Sequence, residues 1–181
     1  MAKPFLDNGL NVFIDKPLTL DIKDLEFFSK YLLNGQLMSC SGFRYSSELD
    51  LLRADFNVGN IKLITGAVIN DWERYGIHLL EAIMGAVPFK PISVWSHLNT
   101  TMTVIISTNL DFKIIINTLY NSSFVFDISI LGSDNNFDAT LQDNFSAFKR
   151  TLSSFVELVN DDIIPYKPSE TIDLMKVEEH N

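Results

Sequence analysis

The feature that most constrains this chain lies near its start, where a strand, a helix and a second strand follow one another within residues 11–41. Asn11-Val-Phe-Ile14 has the short apolar run of a buried strand. Asp21 is placed to cap a helix running to about Leu33, with Ile22, Leu25, Phe28 and Leu32 on one face. Asn34-Gly35 stops that helix, and residues 36–41 read as the second strand. A strand–helix–strand of this length is a crossover unit, so its two strands should be parallel. Parallel strands sit inside larger sheets covered on both faces. One crossover unit cannot make such a sheet. Either the remaining strands lie outside this chain, or another element covers the pair.

The pattern changes downstream. Residues 61–69 form a β-rich run, and residues 71–84 have helical spacing with Trp72, Leu79, Leu80 and Ile83 on one side. After Pro88 and Pro91 come four strand-like runs, at 92–98, 102–108, 112–119 and 124–131. The links Asn99-Thr100, Asn109-Leu110-Asp111 and Asn121-Ser122-Ser123 suit hairpins, which predicts an antiparallel meander. Phe112-Lys-Ile-Ile-Ile116 and Phe124-Val-Phe126 are apolar on both faces, which predicts helices on one side and a partner on the other. At the end, Phe145, Phe148, Leu152, Phe155, Val156 and Val159 form one helical stripe. Residues 161–168 read as a loop, and Ser169 as the cap of a last helix through Val177. The predicted class is α+β, an open, mostly antiparallel sheet with helices on one face, preceded by a β-α-β unit.

Composition narrows the function. A hydrophobic fraction of 46%, with 14 Phe, supplies a substantial core. A formal net charge of −9, with no Lys/Arg cluster, repels phosphate backbones and argues against nucleic acid. The single cysteine, Cys40, cannot build a disulfide framework, and no His/Cys/carboxylate set has metal-ligand spacing, so no metal is expected. The sequons at Asn99, Asn121 and Asn144 are at the level of chance in an Asn-rich chain. No secretory signal or membrane span is visible, which makes a reducing cytoplasm the default.

Three short segments carry chemistry: Asp15-Lys16-Pro17 after the first strand, Gly42-Phe43-Arg44-Tyr45 after the second, and Tyr75-Gly76-Ile77-His78 before Leu79-Leu80-Glu81. In this order the chain resembles the glucose–fructose oxidoreductase/inositol dehydrogenase/rhizopine catabolism family (Gfo/Idh/MocA), over essentially its whole length. That family ends its fifth Rossmann strand with Glu-Lys-Pro, follows the sixth with a Gly-aromatic/Asn-Arg-aromatic step, and opens a later helix with Gly-x-His. The resemblance implies that residues 1–42 are the C-terminal remnant of a dinucleotide-binding Rossmann domain, and residues 43–181 a substrate-binding and oligomerisation domain. It implies NAD or NADP beside Asp15, Lys16 and Pro17, not held tightly by this chain alone. It also implies a sugar or cyclitol ligand and a homodimer through the open sheet. Three departures stand out: no Gly-x-Gly-x-x-Gly spacing exists among the eight glycines, Asp15 replaces the usual Glu, and Arg74 stands where many members carry an acid.

Oxidising a sugar hydroxyl moves a hydride to nicotinamide and a proton to a base. By resemblance, Lys16 and His78 share that work. Histidine ordinarily titrates near neutrality, which suits reversible proton transfer. Asp71, Tyr75 and His78 fall at i, i+4 and i+7, so on one helix they share a face. Such a face could line a sugar pocket, with Trp72 or Tyr75 against the ring and Asp71 accepting hydroxyl protons. Arg44 is a further substrate-side candidate. Plainer readings exist for each residue. Lys-Pro after a strand is commonly a turn, and a helical His is commonly structural. His97 and His180 read as structural or solvated, Glu157, Asp161 and Asp162 as solvated surface charges, and Cys40 as a buried small hydrophobe. Three functional classes follow: a truncated or partial NAD(P)-dependent oxidoreductase of the sugar/cyclitol type, inactive without a separate or longer-chain cofactor-binding half; a non-catalytic sugar-binding or dimerisation module derived from that family; and an unrelated α+β protein.

Overall fold

The computed structural model describes residues 2–54 and 56–179; His180 lies outside them. A short helix α1 (Lys3–Asp7) precedes strand β1 (Val12–Asp15), helix α2 (Ile22–Leu33) and strand β2 (Leu37–Cys40). β1 and β2 pair in parallel, from Val12 opposite Leu37 to Asp15 opposite Cys40. Asp21 caps α2 by accepting a hydrogen bond from the Lys23 amide at 2.7 Å. Gly35 ends it at φ +76°, a left-handed conformation that costs glycine nothing. The crossover unit predicted at the N-terminus is therefore present. One helix that helps to cover its pair is α5 (Asn144–Asp161), whose Leu158 packs with Met38 and Cys40 and whose Phe155 ring lies 5.8 Å from that of Phe13.

After two short 3-10 turns (Gly42–Tyr45 and Ser47–Leu49) and helix α3 (Asp50–Arg53), a second sheet begins. Its strands are β3 (Ile61–Ile69), β4 (Pro91–Leu98), β5 (Met102–Thr108), β6 (Lys113–Leu119), β7 (Phe126–Gly132) and β8 (Asn136–Thr140). The spatial order is β4-β5-β6-β3-β7-β8. Every neighbouring pair is antiparallel except β3 and β6, which run parallel from Leu63 opposite Lys113 to Ile69 opposite Leu119. This corrects the simple meander. β3 enters between β6 and β7, and at its end the Ile69 amide bonds the Val125 carbonyl while the Asn70 amide bonds that of Leu119. The central position suits β3, because Ile64 and Val68 then join Ile114, Ile116, Ile128 and Ile130 on one buried face.

That face is covered by helices α4 (Trp72–Ala86) and α6 (Pro168–Glu179), while the opposite face, with Thr65, Thr103, Ile105, Ile115, Asn117 and Ser129, is half-exposed. The α+β class expected from the pattern is the one observed. α4 sits close to the sheet: a Cβ on Gly66 would lie 2.4 Å from Leu79 Cδ2. α6 begins at Pro168, so Ser169 lies inside the helix rather than capping it; proline at the first helical position loses no hydrogen bond. The apolar stripe of α5 also departs from expectation. Phe145, Phe148, Leu152, Val156 and Val159 are exposed, and the buried side chains are Ala147, Thr151 and Leu158. Small residues bring α5 against the turn at Gly42, where a Cβ would meet the Phe148 backbone at 3.4 Å. One hydrophobic core runs from Leu6 and Leu25 through the sheet to Leu174 and Val177.

Candidate functional site

The carboxyl ends of β1 and β2 and the first turns of α4 meet at one place. In open α/β sheets, ligands bind outside the carboxyl ends of the strands. Asp15 is the last residue of β1, followed by a cis peptide between Lys16 and Pro17. Ser41 follows β2 and caps the turn Gly42–Tyr45, its Oγ accepting from the Phe43 amide at 3.2 Å. The same Oγ lies 2.6 Å from His78 Nδ1. Lys16 Nζ donates to the Arg74 carbonyl at 2.9 Å, one helical turn before His78. Lysine and histidine thus flank the same stretch of α4.

Burial holds the His78 ring down at about 3, and the Lys16 charge adds to the effect. The expectation that His78 titrates near neutrality is therefore corrected: it is neutral throughout the physiological range. Burial also lowers the Lys16 ammonium, against the pull of Asp15 and Glu178. The Glu178 carboxyl is itself pushed up to about 8 by burial, with Glu73 acting in the same direction and Lys16 opposing.

An open cleft of about 290 Å³ lies over these groups. Asp15, Ser41, Gly42 and Phe43 form one wall, Tyr75 and His78 come from α4, Phe124 and Phe126 from β7 and its approach, and Asn144, Ala147 and Phe148 from α5. The rings pack around one another: Phe43 and Phe126 at 4.9 Å, Phe124 and Phe126 at 5.2 Å, and His78 at 5.6 Å from Phe43 and 5.8 Å from Phe126. Of the sequence-derived candidates, the cleft brings together Asp15, Tyr75 and His78, with Lys16 and Pro17 beside them.

Three others are elsewhere. Asp71 is the cap of α4, accepting from the Arg74 amide at 3.0 Å, and it does not line the cleft. Trp72 is 0% exposed. It packs on Gly76, where a Cβ would lie 2.6 Å from the indole, so it presents no face to a ligand. Arg44 is 4% exposed and is ion-paired with Glu81 and, at 2.7 Å, Glu170, with its guanidinium 4.1 Å from the Tyr166 ring centroid. The turn Gly42–Tyr45 directs Phe43 into the cleft and Arg44 toward α4 and α6. Burial raises the Glu81 carboxyl, and Arg44 pulls it back. Ser41, Phe124, Asn144 and Phe148 are cleft residues that the sequence reading missed. The spacing of Phe124-Val-Phe126 signals a shared face, but nothing local ties α5 to β7.

For a nicotinamide cofactor, the residues present fit only the reactive end. Asp15, Lys16 and Pro17 stand at the strand terminus beside the cleft, and Gly42 opens the next turn without a side chain to obstruct approach. No described glycine opens a long helix directly after a strand, as pyrophosphate binding requires. Among the described residues, no three metal-ligating side chains converge, and no helix is long and apolar enough to cross a membrane.

No protein-family model matches the sequence, and no curated protein matches it. Solved structures do match. The chain is similar to myo-inositol 2-dehydrogenase from Lactobacillus plantarum, with a TM-score of 0.82 at 14% identity, over 96% of this chain and 70% of that one. It is also similar to scyllo-inositol dehydrogenase from Lactobacillus casei with bound NAD(H) and scyllo-inositol, with a TM-score of 0.79 at 15% identity, over 96% and 70%. A third match is myo-inositol dehydrogenase from Lactobacillus casei in complex with NAD(H) and myo-inositol, with a TM-score of 0.81 at 11% identity, over 96% and 67%. At such identities the likeness is one of fold. The chain has the fold that its Asp-Lys-Pro, Gly-Phe-Arg-Tyr and Gly-Ile-His segments led us to expect, that of the inositol dehydrogenases of the Gfo/Idh/MocA type.

Proposed function

We propose that this chain is the substrate-binding and nicotinamide-facing portion of an NAD- or NADP-dependent oxidoreductase acting on a sugar or cyclitol hydroxyl. In this reading residues 1–42 belong to the cofactor domain and residues 43–181 to the substrate domain. A glycine-rich half from elsewhere completes the site, and the half-exposed sheet face joins two copies. The observation that carries the reading is the His78 Nδ1–Ser41 Oγ contact at 2.6 Å, with Lys16 anchored one helical turn away.

The cofactor, when bound, supplies the hydride acceptor. This chain's residues handle the proton. With Nδ1–H donated to Ser41 Oγ, the other ring nitrogen of His78 keeps its lone pair for the substrate O–H. The Lys16 ammonium stabilises the developing alkoxide. The same cation disfavours an imidazolium, so His78 passes the proton on to water in the open cleft instead of storing it. A second reading, a non-catalytic sugar-binding or dimerisation module, is favoured by one observation: burial that positions His78 also makes it a weak base.

The test is complementation. The chain alone should reduce no NAD or NADP with a panel of cyclic alcohols. A strand–Gly-x-Gly-x-x-Gly–helix half supplied in trans should restore activity, and Lys16→Met or His78→Gln should each lower it by roughly 10²–10⁴-fold. Activity indifferent to both substitutions refutes the reading. A stable complex that binds cofactor without turnover selects the non-catalytic module.

A further inference from the structure

The fold leaves an apolar stripe on α5 uncovered. We propose that this stripe seats a second copy of the chain, whose α5 lies antiparallel across it about a two-fold axis at Leu152. Phe145 is 81% exposed, and Phe148, Leu152, Val156 and Val159 lie between 41% and 52%. At about 1.5 Å per residue, the stripe runs roughly 21 Å along the helix. Contiguous apolar surface of that extent on a folded domain marks an interaction site. It is separate from the half-exposed sheet face, which belongs to β3, β5, β6 and β7.

Spacing and charge point to the occupant. Phe145 and Phe148 stand seven and four residues before Leu152, and Val156 and Val159 stand four and seven after it. The stripe therefore reads the same in both directions. A copy turned end for end sets Leu152 on the partner's Leu152, Phe148 on the partner's Val156 and Phe145 on the partner's Val159. Every layer is then apolar, and each ring meets a smaller branched side chain, so the helices interdigitate. Lys149 and Glu157 flank a groove of about 550 Å³ along the stripe, one in each half of the helix. Antiparallel pairing brings Lys149 to the same side of the seam as the partner's Glu157, roughly 3 Å apart along the axis, and symmetry makes two such pairs. Parallel pairing sets each charge against its own kind, which repels. A two-fold contact of this type closes at two copies. Phe148 also lines the His78 cleft, so the second copy packs against one wall of that cleft.

Disulfide trapping in the full chain tests the seam, whatever the sheet face does. Cys40 is 1% exposed, so the parent chain offers no accessible thiol. Under mild oxidation Leu152→Cys, on the axis, should cross-link to itself. Phe145→Cys and Val159→Cys should each stay uncross-linked alone and join when mixed. In sedimentation velocity, Leu152→Asp and Lys149→Glu should each weaken self-association at least about tenfold, and Lys149→Glu with Glu157→Lys should restore it. Phe145→Cys that joins itself as readily as it joins Val159→Cys, a mixture that yields no cross-link, or a charge swap that fails to restore association overturns the inference. So does a Phe145→Cys thiol that labels freely in the concentrated chain and is protected only when the glycine-rich half is added, since that half is then the occupant. The oxidoreductase reading is judged separately, by the Lys16 and His78 variants in the complemented enzyme.

Discussion

Arg44→Met is the substitution that most directly probes the packing beneath the cleft. The guanidinium joins Glu81 on α4 to Glu170 on α6, with side-chain exposures of 3%, 1% and 11%. Methionine keeps an unbranched apolar stem and removes the charge. Glu81 is then a carboxylate out of water with no cation, and its cheapest escape is to take a proton. From an ordinary value of 4.5, protonation at pH 7 costs about 3.4 kcal/mol, at about 1.36 kcal/mol per pH unit. Glu170 adds less, because it reaches water. We expect a loss of about 3–5 kcal/mol at pH 7, in the range for breaking a buried pair. The sign with pH follows from the folded carboxyl being raised above its unfolded value: the variant recovers as pH falls, and the loss shrinks to about 1 kcal/mol at pH 5. Arg44→Met with Glu81→Leu should regain most of the loss, since the carboxylate with 1% exposure is then gone and the one left without its cation, Glu170, keeps some access to water. Urea unfolding followed by fluorescence of buried Trp72, at both pH values, measures all of this. A loss under about 1 kcal/mol at pH 7, or one identical at pH 5, would refute the assignment of Arg44 to a buried ion-pair network.

Three further outcomes are expected. The His78 imidazole signals should stay flat from about pH 5 to 8 in heteronuclear NMR. Its stabilisation, complete above 6.5, is lost as pH falls toward 3, so His78→Gln flattens the acid side of the stability profile; a titration midpoint near 6.5 contradicts this. Glu178, raised from 4.5 to about 8, should cost stability progressively as pH rises between those values. Glu178→Gln should therefore match the parent near pH 4.5 and melt higher at pH 8. Gly132→Ala places a Cβ 1.8 Å from the Val58 carbonyl oxygen and should cost about 3 kcal/mol, whereas Gly42→Ala, 3.4 Å from the Phe148 backbone, should cost under about 1 kcal/mol; urea midpoints compare them.

Much of the fold is legible residue by residue. Ile61–Ile69 and Met102–Thr108 alternate or run apolar at strand length, and both are strands with those bounds. Asp21 before Ile22 and Gly35 after Leu33 mark both ends of α2 through local hydrogen bonding and backbone freedom. β8 escaped, because Asn136-Phe-Asp-Ala-Thr140 has one large apolar side chain and earns its place only by pairing with β7. The site divides in the same way. That Asp15 and Lys16 stand at a strand's end, and that Tyr75 and His78 share a face inside one helix, could be read from short segments, since strand ends and helical spacing are local. That Arg44 and Trp72 turn inward, and that Asp71 is a cap, could not be.

What the sequence by itself determined is therefore the type of the longer elements and the residues at some of their ends, because periodicity, capping and turn chemistry act over a few neighbouring residues. The tertiary structure decided which faces meet. It placed β3 between β6 and β7, turned the α5 stripe outward by seating Ala147 and Thr151 inward, and closed Phe124, Phe126 and Phe148 around His78. Those outcomes depend on apolar surfaces far apart in the chain competing for one core, and the same burial removed the histidine's ordinary titration.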